Sequence, residues 1–488
     1  MAKRILTHLT RMLLSLFGYG LLGALIAILI VYILFLENRP DLSIWHLADL
    51  DQEFTAKSGL SDFDQYLALE ERLFAQLDAL VYEQVPQGPE NAINRYSRGS
   101  LTDSGSWPVN WNRSFVMPTE EPAVGVLLIH GLSDSPYSMR ALAKKLHDSG
   151  AWVLGLRVPG HGTAPSGLVE VRWQDMEAAV KLAARHVKKA IGAKPFYLVG
   201  YSNGGALSVE YALSALDDTS LPPPAGVVLL SPEIGVTAAA AFAVWQGRLG
   251  HLLGLDKLAW NSVLPEYDPY KYGSFAVNAG DVAHRITTHI QDQLDALQGA
   301  GKLGNMPPLL AFQSSVDATV SPSALVENLF ARLPSANHEL VLFDINRQIG
   351  TAALVKRDPR TVFRPMLRKL DRHFDLTVVT NESEISPRVV ARKWVRGEED
   401  YSAQIYLDDW PSDIYSLAHV ALPFSPDDPI YGSPGSAGVT GIHLGSMALR
   451  GENGVLQVSG TDLLRLRWNP FFDYVQSRIL QFMELNDS

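Results

Sequence analysis

The sequence predicts an α/β protein built on a mostly parallel sheet with helices on both faces, preceded by one membrane-spanning helix. Three observations carry this. From Gly125 onward, short continuously apolar runs alternate with amphipathic stretches, the pattern of strands buried on both faces and joined by helices. A serine bracketed by glycines, Gly200-Tyr201-Ser202-Asn203-Gly204, stands between one of those runs and a helical stretch. Near the N-terminus, Met12 to Leu36 is a 25-residue run without a charge.

The uncharged run comes first in the chain. About 20 apolar residues cross a bilayer core, so it spans with some tilt. A secretory signal has a shorter apolar stretch of about 7–15 residues and a small-residue cleavage site. This run ends instead in Leu36-Glu37-Asn38-Arg39-Pro40, which reads as an uncleaved anchor. Lys3, Arg4 and Arg11 precede it, whereas Glu37, Arg39 and Asp41 follow. Positive residues stay inside, so the N-terminus is expected in the cytoplasm and the catalytic domain on the far side. In a bacterium that is the periplasmic face of the inner membrane.

Residues 37–118 read as a helical and looped approach segment, with helical spacing over Phe63–Phe74. The remaining 119–488 form the α/β domain. Its predicted strands are Val126–Ile129, Ala151–Leu156, Pro195–Val199, Gly226–Leu230, Pro308–Phe312 and Leu340–Phe343. Its predicted helices are Ser138–Ser149, Trp173–Ala190 and Gly204–Leu216. Between about 235 and 305 the rhythm breaks for longer than an ordinary connection, so this segment carries structure of its own. It reads as a cap inserted over the sheet's carboxyl edge, with Ala238–Leu258 lining or covering a substrate cleft. An extra segment at about 346–412 holds two more strand patterns, Phe374–Thr380 and Val389–Val395.

Composition excludes several functions. The chain has no cysteine, which removes disulfides, thiolate metal sites and a cysteine nucleophile. Its net charge of −11 leaves no basic footprint for nucleic acid. Oligomeric state is not legible from composition.

The chemistry sits at Ser202. In G-x-S-x-G the turn from strand to helix is so tight that glycines must flank the serine, and its hydroxyl then stands clear at a helix N-terminus. Free N–H groups there favour developing negative charge. The backbone N–H of Asn203, next after the nucleophile, is one oxyanion-hole donor. The loop after the strand ending Ile129-His130-Gly131-Leu132 supplies the other, from Leu132. His130 itself reads as holding that loop's shape. The acid is expected after a later strand, and Leu309–Phe312 followed by Gln313-Ser314-Ser315-Val316-Asp317 fits. Asp317 would orient a histidine and stabilise its charged form. Glu233, in Ser231-Pro232-Glu233, is a rival acid.

These motifs carry a resemblance. Val126–Leu132 with Ser133-Asp134-Ser135-Pro136-Tyr137-Ser138-Met139-Arg140, and Arg157-Val158-Pro159-Gly160-His161-Gly162-Thr163-Ala164-Pro165, are similar to motifs of the monoacylglycerol lipase and lysophospholipase group of α/β hydrolases. The serine turn and the Asp317 loop complete a similarity that covers residues 120–345. It implies the α/β-hydrolase fold and hydrolysis of a carboxylic ester through an acyl-enzyme, with a cap shaping an acyl pocket. A hydrophobic ester or lipid is the implied substrate, and no metal or organic cofactor is expected.

The sequence departs from that group at the histidine. Members carry it shortly after the last strand, but Leu340–Phe343 is followed by Asp344-Ile345-Asn346-Arg347-Gln348. Beyond Asp317 only His338, His373, His419 and His443 remain. His338 and His373 each directly precede a strand pattern, away from the carboxyl ends that carry such sites. His443 lies in a Gly-rich stretch. His419 lies within the apolar segment Tyr415–Phe424, which runs into a Pro- and Asp-rich loop, and is the expected general base if the extra segment returns to the site. A catalytically silent scaffold that binds a ligand or partner is the rival reading, as is an aminopeptidase or acyltransferase using the same three residues.

Overall fold

The structure, a computed structural model, describes residues 39–235, 256–334, 337–348, 358–368, 371–436, 442–445 and 467–486, with positions 12, 15–24, 26, 27 and 30. Of the 25-residue run Met12–Leu36 these include 14 positions and leave out 11, while most of the expected cap stretch Ala238–Leu258 lies outside the described residues. Among the described residues no helix is long and apolar enough to cross a membrane.

A ten-stranded sheet organises the chain. Its strands are β1 (Phe115–Met117), β2 (Val124–Ile129), β3 (Ala151–Leu156), β4 (Phe196–Tyr201) and β5 (Gly226–Leu230). A small hairpin, β6 (Trp260–Ser262) and β7 (Phe275–Ala276), intervenes before β8 (Leu309–Ser314) and β9 (Glu339–Phe343). The sheet then gains β10 (Asp375–Asn381), β11 (Arg388–Trp394) and β12 (Ala403–Asp409), in the order β1-β3-β2-β4-β5-β8-β9-β10-β11-β12. From β3 to β10 every pairing is parallel, while β1, β11 and β12 are antiparallel edges.

Strand periodicity divides the core. Leu127, Ile129, Leu198 and Leu229 point to one face, where helices α1 (Phe63–Leu77), α3 (Trp173–Ile191), α4 (Asn203–Ser214) and α5 (Val277–Gly299) pack; α2 (Arg140–Asp148) lies on the other. Val126, Leu128, Val199 and Val228 point to that second face, which the C-terminal helix Phe472–Phe482 also covers. Side chains alternate because successive Cβ atoms leave opposite sides of a strand. All six residues of β2, β3, β4 and β8 are buried.

One segment differs from the sequence reading, and a second finds its place in the sheet. The segment expected as cap from about 235 to 305 ends in α5, whose Val282, Ile286, Ile290 and Leu294 are buried in the core. Their spacing of four residues puts them on one stripe, so α5 is a layer helix beside α4 rather than a cover on the sheet edge. The extra segment joins the main sheet at β9. Leu376, Val378 and Val379 of β10 pair in register with Leu340, Leu342 and Phe343 of β9, extending the main sheet. The approach segment is tied in through buried Arg157, whose guanidinium donates to Glu53 at 2.9 and 3.0 Å and to Glu70 at 3.0 Å.

Candidate active site

Ser202 occupies the turn between β4 and α4 with φ 54° and ψ −117°. Its N–H donates to the Leu230 carbonyl at 2.9 Å, which ties the turn to β5. A Cβ on Gly200 would lie 2.2 Å from the Gly204 oxygen, and one on Gly204 would lie 2.1 Å from the Ile129 oxygen. Real atoms do not approach so closely, so both glycines are steric requirements. Three of the four non-glycine residues with positive φ among the described residues, Ser133, Ser202 and Ser231, surround this site. Backbone strain of that kind collects where structure over-determines a functional geometry.

The His419 ring bridges two of the candidates. Its Nε2 lies 3.0 Å from Ser202 Oγ and its Nδ1 lies 2.8 Å from Asp317 Oδ2. These three residues come from separate segments and all are buried. Asp317 Oδ1 accepts from the N–H groups of Thr319 and Val320 at 2.8 and 3.0 Å, and its Oδ2 accepts from Gln313 Nε2 at 2.8 Å. Burial would raise the Asp317 pKa, but the His419 hydrogen bond and charge, with the two N–H donors, outweigh it and hold the carboxyl below its ordinary value. With Asp317 ionised, Nδ1 carries the proton and Nε2 is left to accept from the serine hydroxyl.

Asn203 is the first residue of α4, where backbone N–H groups lack intrahelical partners. Leu132 sits in the loop after β2, braced by Lys271 and Tyr272. Lys271 Nζ donates to Ser133 Oγ at 3.1 Å, and the Tyr272 N–H donates to the Ser133 carbonyl at 2.8 Å. His130 accepts the Val158 N–H at Nε2, 3.0 Å, and its Nδ1 donates to the Gly131 carbonyl at 2.8 Å. Burial, with His161 nearby, pushes its pKa well below 6.5, so it is a neutral brace between β2 and β3.

The rival residues hold other bonds, and Glu233 does so beside the serine turn, where its N–H donates to the Ser202 carbonyl at 3.0 Å. Glu233 accepts from the Asn203 side chain at 3.1 Å, and burial raises its pKa. His338 accepts the Leu309 N–H at 3.1 Å, at the start of β8. His373 bonds the Leu333 carbonyl at 2.9 Å and His443 bonds Ser436 Oγ at 3.0 Å.

Sequence reasoning missed Asn346. This residue follows β9, where the resembling group carries its histidine. Its N–H donates to the Tyr415 carbonyl at 2.8 Å, and its side chain donates to the carbonyls of Ile414 and Pro411 at 3.2 and 3.4 Å. The excursion through β10–β12 therefore closes on the residue where it began, which delivers His419 to the end of β9. Gln313, which holds Asp317, was also missed; a polar residue closing an apolar strand four residues before the acid was its signal.

Comparison with known proteins agrees with the fold. The family described as serine aminopeptidase, S33 (Hydrolase_4) matches residues 120–346. A thermostable monoacylglycerol lipase of Bacillus sp. (strain H-257) is 26% identical over 232 residues, 48% of this chain and 85% of the lipase. A putative 2-succinyl-6-hydroxy-2,4-cyclohexadiene-1-carboxylate synthase of Haemophilus influenzae is 27% identical over 114 residues, 23% of this chain and 42% of that protein. Among solved structures, a monoacylglycerol lipase of Paleococcus ferrophilus has TM-score 0.36 at 18% identity, covering 47% of this chain and 87% of its own. A soluble variant of monoglyceride lipase from Saccharomyces cerevisiae, in complex with a substrate analog, has TM-score 0.35 at 21%, covering 47% and 80%. The fold follows from the sheet order and the family match, which ends at Asn346 and so stops short of His419. On these grounds the chain has the α/β-hydrolase fold and is similar to the monoacylglycerol lipase group of serine hydrolases.

Proposed function

We propose that this chain is a membrane-anchored serine hydrolase that cleaves carboxylic esters of lipid-like or other hydrophobic substrates through an acyl-enzyme on Ser202. The observation that carries the reading is the hydrogen-bonded line Ser202 Oγ, His419, Asp317, at 3.0 and 2.8 Å. In this mechanism His419 Nε2 takes the proton as Ser202 Oγ attacks the ester carbonyl. The N–H groups of Leu132 and Asn203 receive the charge on the carbonyl oxygen. His419 then returns the proton to the leaving alcohol, and a water activated by the same nitrogen releases the acid. Asp317 stays ionised and keeps the ring oriented.

The substrate class draws on the Bacillus relative, a monoacylglycerol lipase by name. The anchor draws on the uncharged run and on the exposure of its described apolar residues. Leu16, Phe17, Leu21, Leu22, Ile26 and Ile30 are 49–73% exposed, with no described residue burying them. A bilayer would cover them at a gain of roughly 25 cal/mol per Å². The basic residues Lys3, Arg4 and Arg11 before the run support a cytoplasmic N-terminus.

Fluorophosphonate labelling of the full chain and of Ser202→Ala tests the nucleophile, followed by hydrolysis of esters of increasing acyl length. An aminoacyl amide is included because the matching family is described as an aminopeptidase. Labelling that persists in Ser202→Ala refutes the assignment, and amide cleavage in place of ester cleavage moves the reading to a peptidase.

A further inference from the structure

The stretch that leaves the uncharged run is not a free tether. Only Glu37 and Asn38 separate Leu36 from Arg39. The Arg39 guanidinium donates to the carbonyls of Lys257, Trp260 and Asn261 at 2.8, 2.7 and 2.8 Å. Lys257 Nζ reciprocates, donating to the Arg39 carbonyl at 3.1 Å and to Asp41 at 2.8 Å. Seven residues after Arg39, buried His46 accepts the Ser43 N–H at Nδ1 and donates from Nε2 to Ser274 Oγ, both at 2.9 Å. Its ring also packs edge-on against Trp260 at 4.8 Å. Burial lowers the His46 pKa to about 4, so the ring stays neutral and the bond keeps its direction at ordinary pH.

The segment just before β7 also reaches the candidate active site. Two residues before Ser274, Tyr272 donates its N–H to Ser133 in the oxyanion loop, and Lys271 reaches the Ser133 hydroxyl. Two residues span at most about 7 Å, and the three from Leu36 to Arg39 at most about 11 Å. The end of the apolar run and the mouth of the cleft are thus joined by a short, hydrogen-bonded path.

We propose that residues 39–47 are a rigid juxtamembrane mount that holds the oxyanion-loop face of the domain against a lipid bilayer, so that the partner of this face is a lipid surface and the substrate is taken from it. The proposal rests on the anchor reading above. Exposed Ile44 and Leu47 supply apolar contact. Asp49, Asp51 and Asp256 are exposed nearby, so the surface that fits is zwitterionic rather than anionic.

The chain has no native cysteine, so single-cysteine labels are unambiguous. The full chain goes into phosphatidylcholine vesicles with a lipid-borne quencher, carrying a fluorophore at Leu47→Cys or at Ala193→Cys on the opposite, amino edge of the sheet. The mount requires strong loss of fluorescence at position 47 and little at 193. A linker of about 20 Gly/Ser residues between Asn38 and Arg39, roughly 25 Å on average, leaves the clamp intact. It is expected to erase the difference, and to slow hydrolysis of vesicle-borne monoacylglycerol on the order of tenfold while a water-soluble butyrate ester is cleaved as before. Equal quenching at both sites, or a linker without effect, overturns the mount while leaving anchor and esterase standing. A chain that does not sediment with vesicles overturns mount and anchor together.

Discussion

The serine turn and the histidine loop hold two ends of one hydrogen bond, yet they are built in opposite ways. Ser202 is held by its immediate neighbours: a strand before it, a helix after it, and two glycines whose replacement would bring atoms within 2.2 Å. His419 opens a three-residue 3₁₀ turn that no nearby motif shapes. Its place depends on three added strands, on Asn346 and on Asp317. One catalytic group can be built by local sterics, while its partner needs contacts more than 60 residues apart.

The comparison breaks hardest at the chemistry itself. Ser202→Ala and His419→Ala should each lower kcat by a factor on the order of 10⁶, and Asp317→Asn by about 10⁴, because the three act as one unit. Ester hydrolysis by the purified variants measures this. Full activity in His419→Ala would leave the hydrogen-bonded line without a role.

Asn346→Ala separates the two construction modes. It frees the segment carrying His419 but leaves the serine turn untouched. A displacement of about 1 Å can cost on the order of a hundredfold in rate, so kcat should fall by about ten- to a hundredfold with KM little changed. Global stability should drop by only about 1–3 kcal/mol for the lost buried bonds. Urea melts read alongside kinetics distinguish this from simple unfolding; a parallel collapse of both would assign Asn346 to the fold alone.

Gly204→Ala probes the local mode. Its Cβ would meet the Ile129 carbonyl at 2.1 Å, and overpacking of this kind costs roughly 1–3 kcal/mol. Here stability and fluorophosphonate labelling should fall together, since the strain sits in the turn that presents the hydroxyl. A variant as stable as the parent would mean the turn has more room than these contacts allow.

The smallest effect is a pH dependence. Asp317 has a folded pKa below its ordinary value, so its ionised form contributes stability above the unfolded value near 3.9. That contribution is lost as pH falls through the lower folded value. Below about pH 4 the parent should therefore lose stability more steeply than Asp317→Asn, as thermal melts across pH 3–5 would record. Parallel curves would argue that the Asp317–His419 bond adds nothing to the fold.

Much was readable before any coordinates. The strand patterns Ala151–Leu156 and Gly226–Leu230 coincide with β3 and β5, and the extra patterns at 374–380 and 389–395 fall within one residue of β10 and β11. Continuous apolar runs flanked by turn residues impose this locally, because a strand buried on both faces tolerates little else. The spacing Gly200-x-Ser202-x-Gly204 likewise specifies its own backbone. What sequence could not decide was arrangement at distance. Helical spacing in Val277–Gly299 is the same whether the helix caps a cleft or covers a sheet, and only its burial beside α4 settles which. The β10–β12 patterns do not say which edge they join. Asn346 looks like any loop asparagine until the chain returns to it, and Arg39 looks like a flank of the apolar run until it meets Lys257, Trp260 and Asn261. Backbone preference and burial period are written within a few residues, whereas hydrogen bonds across 65 or 218 residues exist only after the chain has closed on itself.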